Sequence, residues 1–435
     1  MPGESKAIEL VKIPKEADYE DYLSAYLQAG GLYVERKTIL REEGEDLLEL
    51  DLITTNFQKD ASEKLLIEIK SGNWGAPDVF KIKGWLIFLN YKNGCLITQK
   101  YKPNFDNLKS IAKALNIELI DNSDLDRTED ILSHLLLLKP DQAEIESIRF
   151  SYLLERKILC ELKNYKKESI RKSDKLKGYF ELDDYFFKIN SSSFFSRNPI
   201  QRITQLFDYY TKHKNITAKI CNEINGGDFD DSTLKLSPKC YRETFYKPQF
   251  GVLQIALYVE HISRLTILKC AIEYLINKYN GAYSFFDTSL SYLPSSLLNG
   301  LKSIASDKYL FLYPRFWQFF TYVFGGFILT DFKEKEFELL SSNTGIPIDE
   351  IPNAFDSFNK LFPREDGWLL KFPNSSVEWH YFFPIAFSGI GVNYRRIKYS
   401  EDESYENLFS QLSQDKTVKD LTKWAKLSYD ILNGS

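Results

Sequence analysis

The sequence predicts an α/β domain with a mixed sheet flanked by helices over residues 1–140, followed by a large, mainly α-helical domain over residues 141–435. Three observations carry this reading. Short apolar runs of strand length alternate with helical patterns as far as about residue 140, the signature of layered α/β architecture. Past Pro140 the apolar spacing lengthens into long helical patterns rich in Tyr and Phe. The chain has 435 residues, of which 43% are hydrophobic; that is enough for a large core and more than one core of roughly 250–300 residues accommodates.

Each element follows from local pattern. In Asp18 to Ala29 the apolar residues Tyr19, Tyr22, Leu23, Tyr26 and Leu27 fall on one helical face, and Gly30-Gly31 stops the helix. Leu32 to Leu40 and Leu47 to Thr55 read as strands joined in a hairpin by a turn around Gly44. Lys64 to Lys70 is a third strand, Val79 to Leu89 a helix despite Gly84, and Gly94 to Thr98 a short strand. Phe105 to Leu115 is a helix and Ile117 to Ile120 the last strand. In the second region the longest helical patterns are Ile145 to Lys167 and Phe250 to Tyr279, in one large unit or two smaller ones. The longest apolar run, Phe316 to Leu329, has 14 residues, short of the ~20 that span a bilayer, and is expected to be a buried helix.

Composition narrows the chemistry. Lys and Arg number 56 against 61 Asp and Glu, so the chain has no general basic coat for nucleic acid, although a local patch is compatible with that balance. Five cysteines are scattered without a CxxC pair, and the four histidines form no HExxH, which argues against thiolate or imidazole metal chemistry. Neither a GxxxxGK[ST] loop nor a GxGxxG after a strand is present. The polar N-terminus lacks a secretory pattern, so a cytoplasmic protein is expected.

One constellation stands out. Asp51 sits among Leu47, Leu48, Leu50, Leu52 and Ile53, where a carboxylate is costly without a partner. Glu68 and Lys70 lie two residues apart in Leu65-Leu66-Ile67-Glu68-Ile69-Lys70, so strand geometry puts them on one side, with Ile67 and Ile69 on the other. Two carboxylates and a backbone carbonyl are hard oxygen ligands for Mg²⁺. Such an ion assists phosphodiester hydrolysis, and a nearby lysine orients water or neutralises charge.

Asp51 followed by Glu68-Ile69-Lys70 resembles the D…(D/E)xK signature of the PD-(D/E)XK nuclease superfamily. The elements after Lys70 resemble those of Mrr-type restriction endonucleases. The resemblance covers about residues 15–125. It implies a restriction-endonuclease-like fold in which Asp51, Glu68 and the Ile69 carbonyl hold Mg²⁺, with Mn²⁺ as an alternative. Lys70 would act on the attacking water, and Glu20 on the first helix would support the site or a second metal. Where the family's name-giving proline would stand, this chain has Leu50.

Other residues have two readings. Glu35 is either turned toward the metal or a solvated or ion-paired strand residue. Trp74, in the loop after Lys70, either stacks on a base or packs. Asp228, Asp230 and Asp231 read as a polar turn, and Glu378 and His380 as core or surface groups. Lys163, Lys166, Lys167, Arg171, Lys172, Lys175 and Lys177 put seven cations within 15 residues, against Glu168 and Asp174. This cluster is either a solvated helix end or a phosphate grip. Residues 1–140 carry 18 cations and 24 acids, so the first domain needs a basic surface from somewhere to hold a polyanion.

The expectation is thus a metal-dependent endonuclease hydrolysing DNA, by analogy in restriction or antiphage defence, acting as a dimer or higher assembly or with a protein partner. The alternatives are an RNA-cleaving toxin, a junction-resolving enzyme, and a non-catalytic nucleic-acid-binding subunit of a defence complex.

Overall fold

A computed structural model describes residues 10, 13–42, 45–171, 199–213, 229–230, 235–236, 252–279, 293–362, 369–371, 377–380 and 387–400. Helix α1 (Ala17–Ala29) ends where Gly30 and Gly31 follow, the latter at φ 95°, a conformation that favours glycine. Five strands form one sheet in the order β1 (Tyr33–Glu42), β2 (Glu45–Phe57), β3 (Ser62–Lys70), β4 (Asn93–Thr98), β5 (Ile117–Asp121). The first three are antiparallel neighbours; β3, β4 and β5 run parallel. Their crossovers are α2 (Ala76–Leu89) and α3 (Phe105–Ala114), as parallel neighbours require.

Period-two alternation divides the sheet's two apolar faces. Leu66, Leu96 and Leu119 pack with Val79, Ile82 and Leu86 of α2 and Leu108 of α3. Ile67, Ile69, Cys95, Ile97 and Ile120 pack with Tyr19, Leu23 and Leu27 of α1 and Leu132 of α4 (Thr128–Leu132). The mixed α/β layer expected from the sequence is therefore present, with α2 and α3 on one side and α1 and α4 on the other.

The remainder is mainly helical: α5 (Gln142–Arg171), α6 (Pro199–His213), α7 (Val252–Tyr279), α8 (Ser295–Ala305), α9 (Tyr313–Tyr322), α10 (Lys333–Thr344), α11 (Ile351–Leu361) and α12 (Ser388–Lys398). A two-stranded ladder joins β6 (Phe229–Asp230) and β7 (Lys235–Leu236). A small sheet joins β8 (Phe327–Leu329), β10 (Val377–His380) and β9 (Leu369–Lys371), in that spatial order. The Phe316–Leu329 run is buried as expected, but it is not one helix: α9 ends at Tyr322, and Gly325 and Gly326, at φ 71° and 74°, turn the chain into β8. Aromatic stacking supplies its packing, led by Trp317 on Phe358 with ring centroids 3.9 Å apart. No described helix is long and apolar enough to cross a membrane.

The helical region's apolar core extends into the first region, where Ala25, Ala29, Tyr33 and Phe57 join it, beside the two cores on the faces of the sheet. Polar groups interlock as well. The Gln318 amide receives the Val34 N–H at 3.0 Å and donates to the Val34 carbonyl at 2.6 Å, so it covers part of the open edge of β1. Lys269 of α7 is fully buried between Glu35 of β1, at 3.1 Å, and Glu273, at 3.3 Å. Lys64 of β3 reaches Glu273 at 2.9 Å. Glu35 is therefore ion-paired, away from solvent.

Candidate active site

The site forms where the sheet's pairing is interrupted. The β2–β3 register runs from Phe57↔Ser62 to Leu52↔Ile67; one step further, Asp51 stands opposite Glu68. There the ladder gives way to a side chain, because Asp51 Oδ2 accepts the Ile69 N–H at 3.0 Å. On the other flank, β1 pairs Arg36 with Leu52 and Thr38 with Leu50, and the intervening Lys37 takes a left-handed φ of 47°. A carboxylate in the middle of an apolar strand is thus accommodated at the point where its own backbone neighbours stop pairing regularly.

Glu68 is fully buried. One of its oxygens, Oε1, receives Lys70 Nζ at 2.6 Å and Lys81 Nζ at 2.9 Å. The other, Oε2, is buried with no hydrogen-bond partner, a costly state for a charged oxygen. Burial, then the neighbouring Glu68 charge, push the Asp51 carboxyl up to about 7, with Glu20 adding to the rise and the Ile69 N–H and Lys70 opposing it. Burial works against the charge on Lys70, but the hydrogen bond and charge of Glu68, with Asp51 and Asp78 beyond, outweigh it and hold the ammonium above its ordinary value. Lys70 is therefore a cation in this state, suited to stabilising negative charge rather than to removing a proton.

Glu20, on α1, forms an ion pair with Lys37 at 3.1 Å, and its charge is felt at Asp51. The structure thus brings Asp51, Glu68 and Lys70 together, while Glu20 is paired with Lys37 and reaches Asp51 through its charge alone. Next to them, Arg36 is held by Asp21 of α1 at 3.0 Å and lies 3.5 Å over the Tyr152 ring of α5. Arg156 of α5 reaches Asp18 at 2.7 Å and Asp21 at 3.0 Å. The helical region thereby fixes the helix and strand that carry Glu20 and Lys37.

Sequence reasoning missed Lys81 and Asp78. Asp78 caps α2 by accepting the Gly75 N–H at 2.8 Å and stands 3.8 Å from Lys70. Lys81 follows on the same helix, stacked 4.2 Å over Trp85. Their spacing of three does put them on one helical face, but only the docking of α2 reveals that this face meets Glu68. Trp74 packs rather than offering its face to a base: it is buried, its indole N–H donates to the Lys100 carbonyl at 2.7 Å, and its ring abuts Phe105. Glu378 lies 3.8 Å from Lys333. The side chains of Lys163, Lys166, Lys167, Arg171, Lys172, Lys175, Lys177 and His380, and the residues Asp228 and Asp231, lie outside the described residues.

Among the described residues no three His, Cys, Asp or Glu side chains converge as a ready metal cluster. The oxygen donors brought together are the carboxylates of Asp51 and Glu68, beside the Ile69 backbone. Glu68 Oε2 has no hydrogen-bond partner, and burial, then the Glu68 charge, raises the Asp51 carboxyl; hard oxygen donors suit Mg²⁺ or Mn²⁺ better than softer ions. Comparisons of the chain with protein-family models, curated proteins and solved structures return no match.

Proposed function

We propose that this chain is a divalent-cation-dependent nuclease of restriction-endonuclease-like design, with DNA as its substrate and Asp51, Glu68 and Lys70 as its centre. The observation that carries the reading is the pairing of a buried, half-unsatisfied Glu68 with a largely buried Asp51 held on the Ile69 N–H, next to Lys70 at 2.6 Å from Glu68. Asp51, Glu68 and the Ile69 carbonyl would hold Mg²⁺ or Mn²⁺. A bound ion would polarise a phosphoryl oxygen and lower the pKa of its water. Lys70 would orient the attacking water and offset charge gathering on the phosphoryl oxygens. Glu20, tied to Lys37, would hold the flank of the site. Cutting both strands requires two such sites, so a dimer or a partner is part of the proposal. A place in restriction or antiphage defence rests on analogy alone.

The test is incubation with plasmid DNA, linear DNA and RNA in Mg²⁺, Mn²⁺ or EDTA. Metal-dependent cutting that Lys70→Ala or Asp51→Ala reduces by at least about 100-fold, the scale of one lost electrostatic stabiliser, is the expected result. Undiminished cutting by Lys70→Ala removes the mechanism, and cutting confined to RNA replaces DNA as the substrate. A second reading, a non-catalytic binding subunit, is favoured by one observation: Lys70 and Lys81 both sit on Glu68 Oε1, as in a structural ion cluster. Calorimetry showing no Mg²⁺ or Mn²⁺ uptake that depends on Asp51 and Glu68 would select it.

A further inference from the structure

The nuclease domain as a whole is acidic, but the folded arrangement sorts its charge by layer. Residues 70–115, which span the end of β3, both crossover helices and β4, carry eight lysines against Asp78 and Asp106 alone. On the opposite side, residues 116–140 carry six acids, including the exposed Asp124, Asp126 and Asp130, against Arg127 and Lys139. Because α2 and α3 cover the same face of the sheet, their outer surfaces adjoin. Lys81, Lys100, Lys109 and Lys113 are all exposed there. A net −6 domain therefore carries its excess of lysines on this side, where Phe80, Ile87 and Phe88 of α2 and Ile111 of α3 are exposed among them.

That side reaches the candidate site. The parallel strands β3 and β4 end at Lys70 and Thr98, at the same end of the sheet. The loops that follow are fastened together: the Trp74 indole donates to the Lys100 carbonyl, and Lys102 Nζ donates to the Trp74 carbonyl. Between those two lysines, Tyr101 is 59% exposed and stacked on Phe105, with ring centroids 5.8 Å apart. Lys81 bridges from this surface to Glu68 itself. Lys81 thus touches the carboxylates, and Tyr101 and Lys100 stand on the neighbouring loop that leads into α3.

We propose that this α2–α3 face, with the loops after β3 and β4, is where the phosphodiester backbone of a polynucleotide lies, and that Lys81 exchanges its Glu68 contact for a phosphate when the backbone arrives. The proposal rests on the nuclease reading for its orientation toward Glu68, while the positive face itself stands on charge and geometry. Ammonium groups spaced along a surface fit a run of phosphates, and Tyr101 offers a stacking face of the kind that single-stranded bases use.

The experiment is fluorescence anisotropy of the full chain in EDTA with labelled duplex DNA, single-stranded DNA and RNA of one sequence, between about 50 and 200 mM salt. Lys100→Glu/Lys109→Glu/Lys113→Glu is expected to weaken binding at least tenfold. It should also reduce the magnitude of the log–log salt slope for duplex by about 2 to 3, since each lost phosphate contact removes roughly 0.9. The neutral Gln triple variant, milder on folding, should fall between it and wild type, and Lys81→Gln should weaken binding severalfold. The ranking of the three probes identifies the polynucleotide held. Binding unchanged by the Glu triple variant, or abolished instead only by Lys163→Glu/Lys166→Glu/Lys167→Glu, overturns the proposal. So does a wild-type chain that binds none of the probes. Loss of binding in the α2–α3 variant without cleavage by any form leaves this surface standing and sinks the nuclease reading. Cleavage with unaltered binding does the reverse.

Discussion

Asp51 is a residue whose protonation links folding to pH. Its carboxyl sits near 7 in the folded chain, against about 3.9 for a free aspartate. Between those values the folded state holds a proton that the unfolded state has released. Stability therefore falls as pH rises through that window, and above about 7 the cost is fully present. Asp51→Asn removes the cost. Each pKa unit is worth about 1.4 kcal/mol; because Asp51 retains some contact with water, a gain of roughly 1–2 kcal/mol at pH 8 over wild type is expected. The gain should shrink toward zero near pH 4, as measured by urea midpoints in EDTA across that range. On the proposed metal-dependent reading, Mg²⁺ should reverse the ranking at pH 8 by stabilising wild type alone, since Asp51→Asn would not supply the second carboxylate. A variant no more stable than wild type at pH 8 would remove the claim that these carboxylates strain each other.

At the level of elements, the α/β layer was legible because its signals are local. Alternating residues around Glu68 mark a strand with two distinct sides, and the Tyr and Leu spacing from Tyr19 to Leu27 marks one helical face. The aspartate in the apolar strand and the Glu-x-Lys pair were visible for the same reason. What escaped detection depends on docking. Lys81 meets Glu68 only because α2 lies against β3 and β4, and nothing within α2 encodes that. The Phe316–Leu329 run misled because apolar continuity masked the Gly325-Gly326 turn, where two positive φ angles end helix geometry. The α2 docking itself makes a prediction. A Cβ on Gly94 of β4 would stand 2.8 Å from Ile82 Cγ2 and 3.1 Å from a Leu86 methyl. Gly94→Ala therefore forces α2 outward, at an expected cost of about 1–3 kcal/mol for overpacking. The same shift lengthens the Lys81–Glu68 contact. Urea denaturation reads the first effect, and polynucleotide binding that is undiminished or tighter, because Lys81 is less engaged by Glu68, reads the second. An unchanged midpoint would mean that α2 packs less closely on β4 than its position indicates.

On the scale of the whole molecule, the cluster around Lys269 decides whether the two regions behave as one. Its ammonium is fully buried, and although burial disfavours the charge, Glu273 and Glu35 hold it well above the ordinary lysine value. Burial draws Lys64 down while Glu273 opposes that. Glu273, despite its own burial, is held at about 2 by Lys269 and Lys64. Glu35 as an ion-paired strand residue was one of the readings available in advance, but its partner was not, because Glu35, Lys64 and Lys269 are far apart in sequence. Lys269→Met keeps an unbranched side chain one atom shorter and removes the ammonium. Glu273 retains Lys64 at 2.9 Å and Arg202 at 3.7 Å, whereas Glu35 loses the cation that opposes its burial. Breaking a buried pair from one side typically costs about 3–5 kcal/mol, and a loss at the lower end of that range is expected at pH 8. Part of it should return on acidification, because Glu35 then takes up a proton in the folded state at a higher pH than in the unfolded one. Glu35→Gln in the Lys269→Met background should restore stability at pH 8 and abolish that recovery. Wild type should unfold in a single transition, with tryptophan fluorescence and circular dichroism coincident, since the cluster and the shared core bind sheet to helices. Lys269→Met should separate the two signals, with the sheet region and the helical region losing structure at different urea concentrations. Coincident curves for the variant would show that the apolar core alone couples the regions, and that these buried charges contribute no cooperativity of their own.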